Sequence, residues 1–261
     1  MDPYERRVRL TLERWQSDMK WHRPGLLRTW SLRWQRKLDG LIPLKVHDAM
    51  AQGVRIGVSS LLGGLSLIPV DNKRLTPFPP LLEEADRHLP PLLDTYKKWA
   101  AAEGAGTGAG GLILAAVDFP ALISIKLKFL QEVALLYGFD IRDKSERVFL
   151  LHVFQLAFSS PERRQANFEQ VKQWEKTALD TRQMIAESIA WRDFYMDYKQ
   201  YIEFRKLLQI LPGIGAVIGA WANHSLMDDL GKTAQNAFRL RYLQKKYGLD
   251  MPSYRRQGHI E

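Results

Sequence analysis

The chain contains no cysteine. That single absence excludes thiol nucleophiles, disulfide frameworks, thiolate zinc sites and iron–sulfur clusters. It also lacks a run of about 18 uncharged apolar residues, the minimum for a membrane-crossing helix. Two stretches come nearest: 104–125, interrupted by Asp118 and Pro120, and 207–222, interrupted by Gln209 and Pro212. The opening MDPYERRVRL has neither an apolar core nor a small-residue cleavage site, so it does not read as a secretory signal. A cytoplasmic location is therefore expected. Strand signals are scarce, because no Asn-Gly or Asp-Gly pair joins two alternating runs and β-branched clusters are few. His22, His47, His88, His152, His224 and His259 form no HExxH or HxH spacing, and no Gly-x-Ser-x-Gly elbow is present. No metal, cofactor or catalytic residue is assigned on this basis.

Positive charge is abundant. Across 261 residues, 38 Lys and Arg stand against 29 Asp and Glu, a net charge of +9. The surplus sits at the two ends. Residues 1–45 hold eleven basic against five acidic side chains, and residues 231–261 hold seven against two. Basic ends attract anionic partners such as lipid headgroups, nucleic acid or an acidic protein surface. Five of the eight tryptophans (Trp15, Trp21, Trp30, Trp34 and Trp99) fall in the first hundred residues. Tryptophan mixed with arginine suits a membrane interface, where the indole sits at headgroup depth. Arg28, Trp30, Arg33, Trp34 and Arg36 are the membrane-surface candidates. The same composition also fits a solvated basic surface over a tryptophan-bearing core. Nucleic acid is the least supported partner, since the aromatics follow apolar stripes rather than a basic face.

Hydrophobic periodicity predicts an all-α protein. Asp2-Pro3 opens a first helix, with Tyr4, Val8, Leu12, Trp15 and Met19 on one stripe until Pro24-Gly25. A second amphipathic segment carries Leu27, Trp30, Trp34, Leu38 and Leu41. Helices are expected from Val46 to Leu67, over 81–104 with a break at Pro90-Pro91, and from Phe119 to Tyr137 with Gly138 as C-cap. A short helix over 143–158 follows, then a long one from Pro161 through Arg205, and a last one over 213–247 closed by Gly248. These elements give a compact multi-helix domain with two closely packed Gly-rich hairpins. Its expected parts are a basic, Trp-rich N-terminal extension (1–44), a helical domain (45–248) and a basic tail (249–261).

Glycine is concentrated where helices are expected, including Gly106…Gly110 and Gly215…Gly219. Each interior helical glycine costs ~1 kcal/mol relative to alanine, so such spacing calls for close helix approach. A hairpin that enters a bilayer or lines an acyl-chain pocket is a second reading. A phosphate-cradling loop is a third, weakened by the missing Gly-Lys-Ser/Thr.

Six polar residues stand out as ligand or lipid candidates. Asp118 either caps the helix at Phe119 or faces a cation as a buried acid. Lys126 is centred on an apolar stripe of Leu122, Phe129, Leu130, Val133 and Tyr137. It must snorkel to the surface or meet a carboxylate or an acidic headgroup. Glu132 borders a wetter side with Ser124, Lys128 and Gln131 and is expected to be solvated. Asn223 and Arg241 interrupt a small-residue stripe with Ala216, Ala220, Met227, Ala234 and Phe238, and His224 adjoins them. If the two Gly-rich helices pack together, Asp118, Lys126, Asn223 and Arg241 would form one polar cluster.

The segments GAGTGAGG…DFPAL…FLQEVALLYGFD (104–140) and PGIGAVIGAWANHSLMDDLGKTAQNAFRLRYL (212–243) resemble the EcsC protein family. The motifs involved are Asp118-x-Pro120, Glu132 with Tyr137-Gly138, and Pro212-x-Ile214-Gly215-Ala216 with Asn223 and Arg241. The resemblance spans about residues 45–247. It implies a bacterial, predominantly helical protein from a family named after an operon that encodes a membrane transporter. Some family members carry a protease-like label, for which this sequence offers no residue. The combined expectation is a non-enzymatic protein, peripheral on the inner face of the membrane. It would bind anionic lipid or an apolar ligand or partner helix, in an accessory role to transport or secretion. The alternative is a hydrolase of a membrane-derived substrate using Asp118, Glu132 and His224.

Overall fold

The computed structural model describes residues 1–21, 44–63, 80–109, 119–177, 182 and 215–248. Among them there are seven α-helices and no strand. The helices are α1 (Pro3–Trp21), α2 (Leu44–Leu62), α3 (Leu82–Ala109), α4 (Phe119–Leu136), α5 (Lys144–Ala157), α6 (Pro161–Gln173) and α7 (Gly215–Tyr247). A 3₁₀ turn, Trp174–Lys176, follows α6. Residues 110–118, where the rest of an expected Gly-rich helix to about Val117 and a turn at Asp118 fall, the second amphipathic segment and the basic tail lie outside the described residues, and so do Arg28, Trp30, Arg33, Trp34, Arg36 and Asp118.

Local chemistry explains where the helices begin and end. At the start of α1, the Glu5 N–H donates to Asp2 Oδ1 (2.8 Å) and the Asp2 N–H donates to Glu5 Oε2 (3.1 Å). This is a reciprocal capping box that satisfies two helix-end donors. At the end of α4, Gly138 takes φ 78°, a conformation that strains any residue with a Cβ. The Gly138 N–H then donates to the Leu135 carbonyl and the Phe139 N–H to the Ala134 carbonyl, so the chain reverses sharply into α5.

Helix α7 is the hub. It packs most extensively on α3 and also touches α1, α4, α5, α6 and the 3₁₀ turn. The α3/α7 pair is antiparallel. Asp86 meets Arg239, Leu93 meets Gly231, and Lys97 meets Asp228. A Cβ at Gly231 would lie 2.5 Å from Leu93 Cδ2, and one at Gly57 would lie 2.6 Å from Ile123 Cγ2. At these two positions glycine lets α3 approach α7 and α2 approach α4, while the surroundings of Gly106, Gly110, Gly215 and Gly219 lie outside the described side chains.

Three expectations need correction. The break at Pro90-Pro91 is absent, and both prolines lie inside α3. Their side chains are exposed, while Leu82, Ala85, Leu89, Tyr96 and Ala100 keep one buried stripe on either side of them. Packing of that stripe outweighs the ~3 kcal/mol that helix-interior proline costs. The helix from Pro161 ends as α-helix at Gln173 instead of continuing unbroken to Arg205, because Trp174 is drawn fully into the core and the chain tightens there into a 3₁₀ turn. Finally, α4 has no wet side, since Ser124 and Gln131 are as buried as Leu122. With α2, α3, α5 and α7 all packed against it, α4 is enclosed on several sides.

Candidate functional site

The polar side chains gather in buried knots, and the most enclosed surrounds Arg241. Its guanidinium reaches Glu146 in a fork, Nη1 to Oε2 at 2.5 Å and Nη2 to Oε1 at 2.6 Å, while Nε donates to Glu175. Phe139 and Phe149 flank it, their ring centroids 4.1 and 4.4 Å from Cζ. Arg182 adds a second cation, 3.6 Å from Glu175 and stacked over Trp174. Arg241 is only 1% exposed, so two carboxylates and two rings compensate its lost hydration. Burial alone would lower its pKa, and the two carboxylates outweigh that and raise it. Arg241 thus ties α7 to α5 and to the 3₁₀ turn, which leaves its cation committed to internal partners.

A second knot forms around Asp86 on α3. It accepts from Tyr137 Oη (2.5 Å), Tyr4 Oη (2.7 Å) and Arg239 Nε (2.9 Å). Burial and the Asp86 carboxylate push the Tyr137 hydroxyl well above its ordinary pKa and the Tyr4 hydroxyl to about 12, so both remain protonated donors. Glu5, 1% exposed, anchors a third knot, accepting from Lys246 Nζ (2.8 Å) and Tyr247 Oη (2.6 Å). Burial raises the Glu5 pKa, but those bonds and the Asp2 N–H outweigh it and hold it below the usual carboxylate value. Together the second and third knots fasten the start of α1 to α3 and to the end of α7. Val8 and Leu12 enter the common core, so α1 is built into the helical domain.

The candidate residues are placed as follows. Lys126 is completely buried in the middle of α4, so its ammonium does not snorkel to the surface. Glu132 is folded inward rather than solvated: Tyr96 Oη donates to its Oε1 at 2.7 Å, and Lys128 Nζ lies 4.0 Å away. Asn223 is buried, 4% exposed, while its neighbour His224 is exposed. Asn223 and Arg241 lie on the same continuous helix, eighteen residues apart. At 1.5 Å rise per residue that separates them by ~27 Å, so they cannot belong to one polar cluster. Sequence reasoning did not single out Asp86, Glu146, Glu175 or Glu5. Glu146 gave no local signal, because it sits among Asp143, Lys144 and Arg147 at the polar start of its helix.

Among the described residues, no group of three His, Asp or Glu side chains could hold a metal ion. None of the described helices is long and apolar enough to cross a membrane. Among the described residues, the exposed large hydrophobics are Met1, Leu10, Ile56, Leu81 and two indoles, Trp99 on α3 and Trp221 on α7, which are 45% and 58% exposed. Trp99 rests against Tyr96, ring centroids 5.0 Å apart, with Lys128 Nζ 5.7 Å from its ring.

Residues 6–243 match the family described as the EcsC protein family. Two Bacillus subtilis (strain 168) proteins are similar. "Protein EcsC" is 38% identical over 240 residues, covering 89% of this chain and 96% of that one. "Uncharacterized protein YdbA" is 32% identical over 148 residues, covering 56% of this chain and 54% of its own length. No solved structure matches.

Proposed function

From the premise that the chain belongs to the EcsC protein family, we propose that it is a non-enzymatic helical protein that associates peripherally with anionic membrane. One observation carries this reading. Glu5 on α1 grips Lys246 and Tyr247 at the end of α7, which draws the two basic ends of the chain into one region. Concentrated positive charge raises the local density of anionic headgroups, each basic side chain near the surface contributing ~1 kcal/mol. Arg28, Arg33 and Arg36, with Trp30 and Trp34, belong to the same basic N-terminal stretch and would add to that attraction. The inner face of a bacterial membrane is the proposed location, and an accessory part in transport or secretion is the proposed setting.

The test is co-sedimentation of the full chain with anionic and zwitterionic vesicles at low and physiological salt. The reading expects recovery with anionic vesicles that weakens as salt screens the charges. Absence of the chain from both pellets would overturn it. Arg28→Glu with Arg33→Glu should then reduce the anionic recovery; unchanged recovery would remove the N-terminal stretch from the proposal.

A further inference from the structure

The register of α3 against α7 also fixes what lies toward the other end of the pair. Stepping along α3 from Asp86 through Leu93 to Lys97 runs alongside Arg239, Gly231 and Asp228 on α7. Extended further, that register sets Trp99 beside about residue 226 and Trp221 beside about residue 103. The two exposed indoles therefore lie in the same half of the helix pair, ~7 Å apart along its axis, with Trp99 ten residues before the end of α3 at Ala109. Among the described side chains of residues 98–103 and 220–224, the exposed ones are Lys98, Trp99, Ala102, Trp221 and His224; Glu103 is half-buried, and Asp94, one turn before Lys98, is exposed. The neighbouring lysine, Lys97, is neutralised by Asp228 at 2.7 Å. The sequence adds a second observation. In sequence, α3 is followed by GGLILAAV (110–117) and α7 is preceded by LLQILPGI (207–214), both free of charged residues.

We infer that this half of the α3/α7 pair is a membrane-docking surface, with Trp99 and Trp221 seated at headgroup depth in an anionic bilayer. Indoles prefer that depth because the ring is apolar and its N–H stays near water. Lys98 supplies charge complementary to anionic lipid, and Lys128 holds Trp99 from behind in a cation–π contact. The inference rests on the membrane-associated reading above and adds to the basic region around Glu5 and Lys246 a second contact, toward the opposite end of α7. It also adds a property that charge alone lacks: a part of the binding that survives salt.

The cysteine-free chain makes the test clean. His224→Cys, one turn from Trp221, and Lys245→Cys, at the far end of α7, would each carry an environment-sensitive nitrobenzoxadiazole label. Mixed phosphatidylcholine–phosphatidylglycerol vesicles are added, and pelleting is measured on the same samples. The expected result is a blue shift and a severalfold rise in emission at position 224 that persists at physiological salt, while any change at position 245, beside the basic region, fades as salt screens the charges. Pelleting with no change at position 224, or with a change there that fades with salt, would overturn the docking surface while leaving membrane association intact. Failure of the chain to pellet would overturn both.

Discussion

The two ends of the α3/α7 pair are built on opposite principles. At one end, Asp86, Glu5 and the Glu146–Arg241–Glu175 group enclose charge and exchange it for internal bonds. Toward the other end, the described residues include two exposed indoles, Trp99 and Trp221, beside the partly exposed pair Lys97–Asp228. Buried charge that is fully partnered fixes the arrangement of helices, because removing one partner leaves the other stranded in low dielectric. Exposed indoles contribute less to folding, since about half of their surface stays in water in both states. The first end should therefore govern stability and the second should govern binding.

That division can be broken or sharpened by mutation. The largest effect is expected for Glu146→Ala, which leaves both Nη groups of the buried Arg241 without their carboxylate and Glu175 as its remaining acidic partner. It should cost ~3–5 kcal/mol, read as a lower denaturation midpoint in urea. A loss under ~1 kcal/mol would mean that the Arg241 knot is not what fixes α7 against α5.

Next comes pH. Burial lowers the His152 pKa to about 4, opposed by Gln155 and Gln170, and its ring lies 5.3 Å from that of Trp174. The unfolded chain binds that proton at the ordinary histidine value, so between pH 7 and 4 it holds more protons than the folded chain. Stability should fall across that window by something on the order of 3 kcal/mol. His152→Gln should flatten the profile there. A variant that keeps the same slope would assign it to other groups. Below that window Glu5 adds its own loss: its pKa is depressed in the fold, so its stabilisation is present above the ordinary glutamate value and disappears as the carboxyl takes a proton.

A smaller effect is expected at Gly57. Alanine gains ~1 kcal/mol of helix propensity but drives a methyl into the fully buried, β-branched Ile123. Overpacking of this kind typically costs ~1–3 kcal/mol, so Gly57→Ala should be destabilising on balance. A stabilised variant would show that the α2/α4 contact yields more easily than its spacing suggests.

Features set by neighbouring residues were legible from sequence. The start of α1, the reversal at Gly138 and the closure of α7 at Gly248 each depend on a few adjacent residues with fixed roles, and each lies where expected. The buried stripe on α7 was legible too, since Asn223, Met227, Ala234, Phe238 and Arg241 are all buried. What Arg241 does was not legible, because its partners lie 95 and 66 residues away and pairing across such distances leaves no local trace. Asp86 is the same case, joined to residues 51, 82 and 153 positions distant. Glu132 was misjudged for a related reason. A polar edge on one helix looks solvated until another helix, here α3 with Tyr96, closes over it. Pro90-Pro91 looked like a break because local cost was legible and the compensating packing on α7 was not.

The smallest change in stability and the largest change in binding should come from the same variant, Trp99→Ala with Trp221→Ala. Its urea denaturation and its co-sedimentation with anionic vesicles at physiological salt, measured beside the unmodified chain, test the division of labour most directly. A stability within ~1 kcal/mol of the original, together with loss of the salt-resistant vesicle binding, is the predicted result. Undiminished binding at physiological salt would contradict it.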